Sequence, residues 1–118
     1  MKRGEVWLIN LDPTIGAEIK KTRPAVIVNS DAIGILPLKV IVPLTDWKDR
    51  YEIAPWMVKV ESNSQNGLEK ASAADTFQVR SVAQERFVRK LGVLSHPKMQ
   101  LISEALGLVL EVGNIAQE

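Results

Sequence analysis

Apolar residues follow two spacings along this chain, and the change between them falls near residue 94. Before it come short runs that alternate or are wholly apolar; after it the apolar positions recur at helical spacing. The first run, Glu5 to Leu11, carries Val6, Trp7, Leu8 and Ile9 and is stopped by Asp12-Pro13, a turn pair. The second, Ala25 to Asn29, is so uniformly apolar at its start that it predicts a strand buried on both faces, and Pro24 forces an extended entry into it. A loop with Gly34 and Pro37 leads to a third strand, Lys39 to Leu44, in which Pro43 belongs at an edge, a bulge or the strand end. Trp56 to Glu61 alternates as a half-exposed strand would, Asn66-Gly67 is a turn signal, and a fifth strand is expected from Ala73 to Val79. Val82 to Phe87 reads as a short helical turn and Phe87 to Leu94 as a strand.

From Ser95 the period becomes that of a helix. Ser95 is placed as N-cap with Pro97 in the first turn, and Leu101, Ile102, Ala105, Leu106, Val109 and Leu110 form one stripe. Leu108 and Val112 fall away from its centre as a second apolar edge, and Gln117-Glu118 is expected to fray. Many short strands followed by one helix describe a mainly β fold with one α element, a small antiparallel barrel carrying a C-terminal helix, and a single domain over 1–118.

Composition narrows the chemistry. Lys and Arg number 15 against 14 Asp and Glu, a net charge of +1, so any polyanion site has to be local. Cations gather at Lys20, Lys21 and Arg23, at Lys48 and Arg50, and at Arg80, Arg86, Arg89 and Lys90. Each cluster alone reads as solvated charge, and only convergence would make a site. With no cysteine and a single histidine, His96 at the helix start, thiol chemistry, cysteine zinc sites and a Ser-His-Asp triad have little to stand on. Neither a phosphate-binding glycine loop nor a dinucleotide fingerprint occurs. Met1-Lys2-Arg3-Gly4-Glu5 runs straight into a strand pattern, from which no leader and no membrane span are expected, and a soluble, cytoplasmic protein is.

What remains is arginine with hydroxyls and amides. Arg23, held between a polar loop and Pro24 at the mouth of a buried strand, is where an anion-binding group would be rigidly presented. Such a set stabilises charge at phosphorus. RNA supplies its own nucleophile, the 2′-hydroxyl, so a chain poor in histidine and cysteine can still be a ribonuclease. Trp47 and Tyr51 lie in a charged segment and suit base stacking or a protein partner, whereas Trp56 reads as core.

The order of several motifs resembles the MazF/PemK toxins: Arg3-Gly4-Glu5-Val6-Trp7, Asp12-Pro13-Thr14 with Gly16 and Glu18, Thr22-Arg23-Pro24-Ala25-Val26-Ile27-Val28, Pro43-Leu44-Thr45, and Gln78-Val79-Arg80-Ser81 with Arg86. The resemblance spans essentially the whole chain. It implies an SH3-like barrel of the CcdB/PemK kind with a C-terminal helix, acting as a homodimer that cleaves single-stranded RNA without a metal or other cofactor. It also implies an antitoxin partner, MazE-like, whose acidic tail covers the RNA groove. Arg23 and Thr45 fall at the catalytic positions. Arg23 would be the charge stabiliser, with a general-acid role open, and Thr45 would hydrogen-bond the phosphate or the attacking 2′-oxygen. Gln78 would position RNA, Glu18, Lys20, Lys21, Trp47 and Arg80 would bind it, and Arg86 would serve the RNA backbone or the barrel. Phe77 stands where many relatives have an acidic residue, and Asp75 where some have arginine. The rival reading is a non-catalytic CcdB-like toxin on the same fold that poisons a topoisomerase; the Arg23, Thr45 and Gln78 set argues against it, since a pure binder does not need those groups.

Overall fold

The computed structural model describes residues 1–33 and 36–113; Gly34 of the predicted loop and the Gln117-Glu118 end lie outside the described residues. Among the described residues seven strands precede one helix: β1 (Glu5–Asn10), β2 (Thr22–Ile27), β3 (Leu38–Asp46), β4 (Met57–Val60), β5 (Ser72–Asp75), β6 (Arg80–Ala83), β7 (Phe87–Val93) and α1 (His96–Leu110). Every pairing is antiparallel, in the order β4-β5-β3-β2-β1-β7, with β6 also on β3.

The long β3 organises the sheet. It pairs β2 through Ile41, Val42 and Pro43, while on other stretches it meets β6 from Leu38 to Ile41 and β5 from Leu44 to Asp46. Pro43, with no N–H to give, falls in the gap between the β6 and β5 ladders, where a missing donor is tolerated. Ala25, Val26 and Ile27 are all fully buried, as their uninterrupted apolar run predicts, because each face of β2 has its own core. Val26 joins Val6, Val42, Leu44, Val58, Val60, Met99 and Ile102 under α1. Ala25 and Ile27 join Ile9, Leu11, Ile41 and Val82 on the other side, roofed by Trp7, Ile19 and Phe87.

Among the described residues no ladder joins β7 to β4 or β6, so the expected barrel is an open sheet. Its seam is fastened by the turn after β4. The Val93 N–H donates to the Gln65 carbonyl at 2.9 Å. A Cβ at Gly67 would stand 2.1 Å from the Leu91 carbonyl oxygen, and one at Gly92 2.2 Å from that of Gln65, so backbone meets backbone with no room for a side chain. Buried Asn66 sets the turn: its amide donates to the Glu61 carbonyl and its Oδ1 accepts from the Asn63 and Leu68 N–H groups.

Four expectations need correction. The fifth strand ends at Asp75, because its side chain accepts from the Phe77 N–H and turns Thr76–Gln78 into a 3-10 turn. Val82 and Ala83 are β6, recruited by β3, and only Gln84–Arg86 forms a helical turn. Trp56 is not core: it is 38% exposed, edge-on to Phe77 at 6.3 Å. The helix starts as read, Ser95 accepting from the Lys98 N–H, but only Met99, Ile102 and Ala105 are buried, and Leu101 and Leu110 face solvent beside Leu108. It packs mainly on β4 and the Thr76–Gln78 turn, a narrow support that leaves part of the stripe uncovered. Among the described residues no helix is long and apolar enough to cross a membrane.

Candidate active site

Arg23 lies in β2 opposite Ile9 of β1, one residue before Pro24, whose fixed φ holds the strand entry. Its Nε–H donates to the Lys20 carbonyl at 2.8 Å, which leaves the two terminal nitrogens without a protein partner among the described residues. Continuing the β2–β3 register beyond Ala25 and Pro43 brings Arg23 across from Thr45 of β3. Both line one cavity of about 240 Å³, with Leu8, Pro24, Asp46, Gly67, Glu69, Lys70, Ser72, Arg89 and Leu91 among its other walls. Thr45 is half-buried, and its hydroxyl makes no hydrogen bond among the described residues. Lys70 and Asp46 neutralise one another at 3.1 Å.

Glu18, Gln78 and Arg80 meet in a different groove, of about 510 Å³, with Leu11, Ala17, Ile19, Pro43 and Phe77. Here the structure gives the second motif another duty. Gln78 Oε1 accepts from the Ile19 N–H at 2.6 Å and its Nε2 donates to the Ala17 carbonyl at 3.0 Å, so both ends of the amide hold the loop between β1 and β2. Arg80 donates to the Leu11 carbonyl at 3.3 Å, and Arg86 to the carbonyls of Asn10 and Asp12. Glu18 accepts from the Ile15 N–H inside the loop, and the Lys21 N–H donates to Asp12 Oδ1. The segment from Gln78 to Arg86 is therefore a brace for the loop that ends on Arg23.

Lys20 and Lys21 are exposed on that loop. Trp47 is half-buried, with Lys59 Nζ over its ring at 5.1 Å and Tyr51 edge-on at 5.8 Å, and it does not line the Arg23 cavity. Asp75 is buried, and burial pushes its carboxyl above the ordinary range against the hydrogen bonds offered by the Phe77 and Gln78 backbone. Phe77 is 68% exposed at the groove rim. Of the cation clusters, only Arg23 of the first and Arg89 of the third line the cavity; Arg80 and Arg86 are tied to loop carbonyls, Lys90 pairs with Glu5, and Arg50 stays apart on Tyr51. Sequence reasoning missed Arg89, Glu69, Lys70 and Ser72 as cavity walls, since strand pairing and the glycine-fastened turn bring them in.

An antiparallel sheet with a C-terminal helix thus carries Arg23 and Thr45 on the wall of one cavity. Residues 2–110 match the family described as PemK-like, MazF-like toxin of type II toxin-antitoxin system, and the chain belongs to that family. It is 32% identical to Endoribonuclease MazF9 of Mycobacterium tuberculosis, over 95% of this chain and 98% of that one. It is 31% identical to Endoribonuclease MazF of Staphylococcus epidermidis, over 97% and 94%. Among solved structures, MazF from Deinococcus radiodurans superposes with a TM-score of 0.78 over 95% of this chain and 97% of that one, at 20% identity, a likeness of fold. A mycobacterial endoribonuclease solved with its cognate antitoxin matches with a TM-score of 0.73, at 20% identity over 94% and 95%.

Proposed function

We propose that this toxin is an endoribonuclease cleaving single-stranded RNA at short sequences, with Arg23 and Thr45 as its catalytic residues. The observation that carries the reading is their meeting, from separate strands and with uncommitted polar groups, in one cavity. The 2′-oxygen forms a bond to the adjacent phosphorus and the bond to the 5′-oxygen breaks, leaving a 2′,3′-cyclic phosphate and a 5′-hydroxyl. The 2′-hydroxyl loses its proton and the leaving oxygen takes one up. The Arg23 terminal nitrogens meet the charge growing on the phosphoryl oxygens, and the Thr45 hydroxyl fixes the phosphate or the attacking oxygen. No step in this scheme requires a metal or cofactor.

Glu18, Lys20, Lys21 and Arg80 border the RNA path; Gln78 and Arg86 act on it by holding the loop, and Trp47 flanks it. Exposed Leu101, Leu108, Leu110 and Val112 on and after α1 give the apolar edge through which a homodimer and a MazE-like antitoxin would be served. The setting is the cytoplasm. Curated relatives named as endoribonucleases support this reading over the topoisomerase poison. The test is incubation with mixed-sequence single-stranded RNA in EDTA beside Arg23→Ala and Thr45→Ala. Cleavage that survives chelation, leaves 5′-hydroxyl ends and falls at least about 100-fold in both variants, in the range of losing a preorganised charge-stabilising donor, is expected. Well-folded wild type that cleaves none of several RNAs would overturn it.

A further inference from the structure

Two aromatic rings that belong to neither core stand together at one end of the sheet. Phe77, in the turn after β5, is 68% exposed, and Trp56, just before β4, meets it edge-on at 6.3 Å. The rings are open to solvent, yet their backbones are pinned. Fully buried Thr76 donates to the Trp56 carbonyl twice, from its N–H at 3.1 Å and its hydroxyl at 2.6 Å, and Asp75 accepts from the Phe77 N–H. A ring on a fixed stem loses little freedom when another flat group lies against it.

Phe77 rims the groove of about 510 Å³, and strand register tells which side of the sheet that groove is on. Directly opposed residues share a face, and alternate residues along a strand return to it. Ala25 opposes Pro43 and Ile41 opposes Arg80, so Arg23, two residues before Ala25, and Thr45, two after Pro43, lie on the face of Pro43 and Arg80. Val42 and Leu44 go to the other face, into the core under α1. Pro43 and Arg80 line the groove, which therefore opens on the side of Arg23 and Thr45, about 7 Å along β3 from Thr45. Its floor is apolar, with Leu11, Ile19 and Pro43. At its sides, one carboxylate oxygen of Glu18 and the remaining nitrogens of Arg80 have no protein partner among the described residues.

We infer that Phe77, backed by Trp56, stacks on a base of the RNA lying in this groove, beside the nucleotide whose phosphate is cleaved. The inference rests on the endoribonuclease reading and gives it a base contact. A pinned aromatic surface with an acceptor and a donor within reach matches the flat face and polar edge of an unpaired base. The groove lies along β3 from Thr45 and not at it, so the stack is made equally before and in the transition state. It acts on substrate binding and leaves the chemical step alone.

The experiment uses a single-stranded RNA oligonucleotide that the wild type cuts, and copies of it in which one nucleotide at a time near the cleaved bond is abasic, with wild type, Phe77→Ala, Phe77→Leu and Phe77→Tyr. Phe77→Ala is expected to raise KM about tenfold, within the range of base–aromatic stacking, and to leave kcat within about twofold. The slope of log(1/KM) against log salt should not change, since no charge is removed. Phe77→Leu, apolar but without a π face, should lose nearly as much, and Phe77→Tyr should keep the wild-type KM. Removing the stacked base should cost wild type about tenfold at one position and cost Phe77→Ala little there, the non-additivity of two groups in contact. A wild-type KM in Phe77→Ala or Phe77→Leu would overturn the inference, as would abasic losses that add in full to that of Phe77→Ala at every position. So would normal cleavage by Phe77→Ala with weakened antitoxin binding, which would make the rings a protein contact. If wild type cut no RNA at all, the endoribonuclease reading itself would fall and take this one with it, an outcome visible before any variant is measured.

Discussion

Replacing Gln78 with alanine separates a residue that touches RNA from one that holds the loop that presents Arg23. The native amide makes two hydrogen bonds, to the Ile19 N–H at 2.6 Å and the Ala17 carbonyl at 3.0 Å. A net value of about 0.5–1.5 kcal/mol for each puts the loss at about 1–2 kcal/mol, taken low because Gln78 is half-buried and water replaces part of it. For a chain of this size that is a fall in melting temperature of about 4–8 °C. The Ile19 amide would then exchange with solvent faster, and because Arg23 Nε is held to the carbonyl of Lys20 in the same loop, kcat should fall along with stability. Calorimetry, hydrogen exchange of residues 12–21 and steady-state cleavage of one RNA together give the answer. An unchanged melting temperature and unchanged exchange, with KM raised and kcat intact, would refute the brace and return Gln78 to the RNA.

Other outcomes follow from the same geometry. Gly67→Ala places a Cβ 2.1 Å from the Leu91 carbonyl oxygen at a φ of +69°, which should cost about 2–4 kcal/mol in denaturant unfolding; a loss below about 1 kcal/mol would show that the turn shifts freely. Asp75, whose carboxyl burial pushes above its unfolded range, contributes stability that is full below its unfolded pKa and is lost as pH rises through its folded one. Asp75→Asn should therefore flatten that part of the stability–pH curve, and an unaltered curve would mean that the carboxyl is solvated.

How much of this was legible in the sequence depends on how far apart the contacting residues lie. Local signals held for the apolar run of β2, the Ser95 cap and the stop at Asp12-Pro13, each dependent on neighbours along the chain, although β2 begins at Thr22 and ends at Ile27 where Ala25 to Asn29 was expected. The helix was legible but its buried face was not, because apolar spacing cannot say how wide a support β4 and the Thr76–Gln78 turn will offer. The break after Asp75 turns on one carboxylate capturing the Phe77 N–H, a competition that strand propensity does not register. Arg23 and Thr45 were singled out by motif order alone, and their sharing one cavity depends on how β2 and β3 come together. Gln78 acts on a residue 59 positions away, and its bracing role lies in the tertiary contact alone.

The glycine-fastened seam has a bearing on how far the cavity wall can vary. Gly67 and Gly92 pin backbone to backbone, so the position of the cavity wall at residues 67–70 does not depend on which side chains the wall carries. Glu69 and Lys70 are exposed on that wall and bear no part of either core. A substitution at either position therefore changes the lining of the cavity and leaves in place the backbone frame around Arg23 and Thr45.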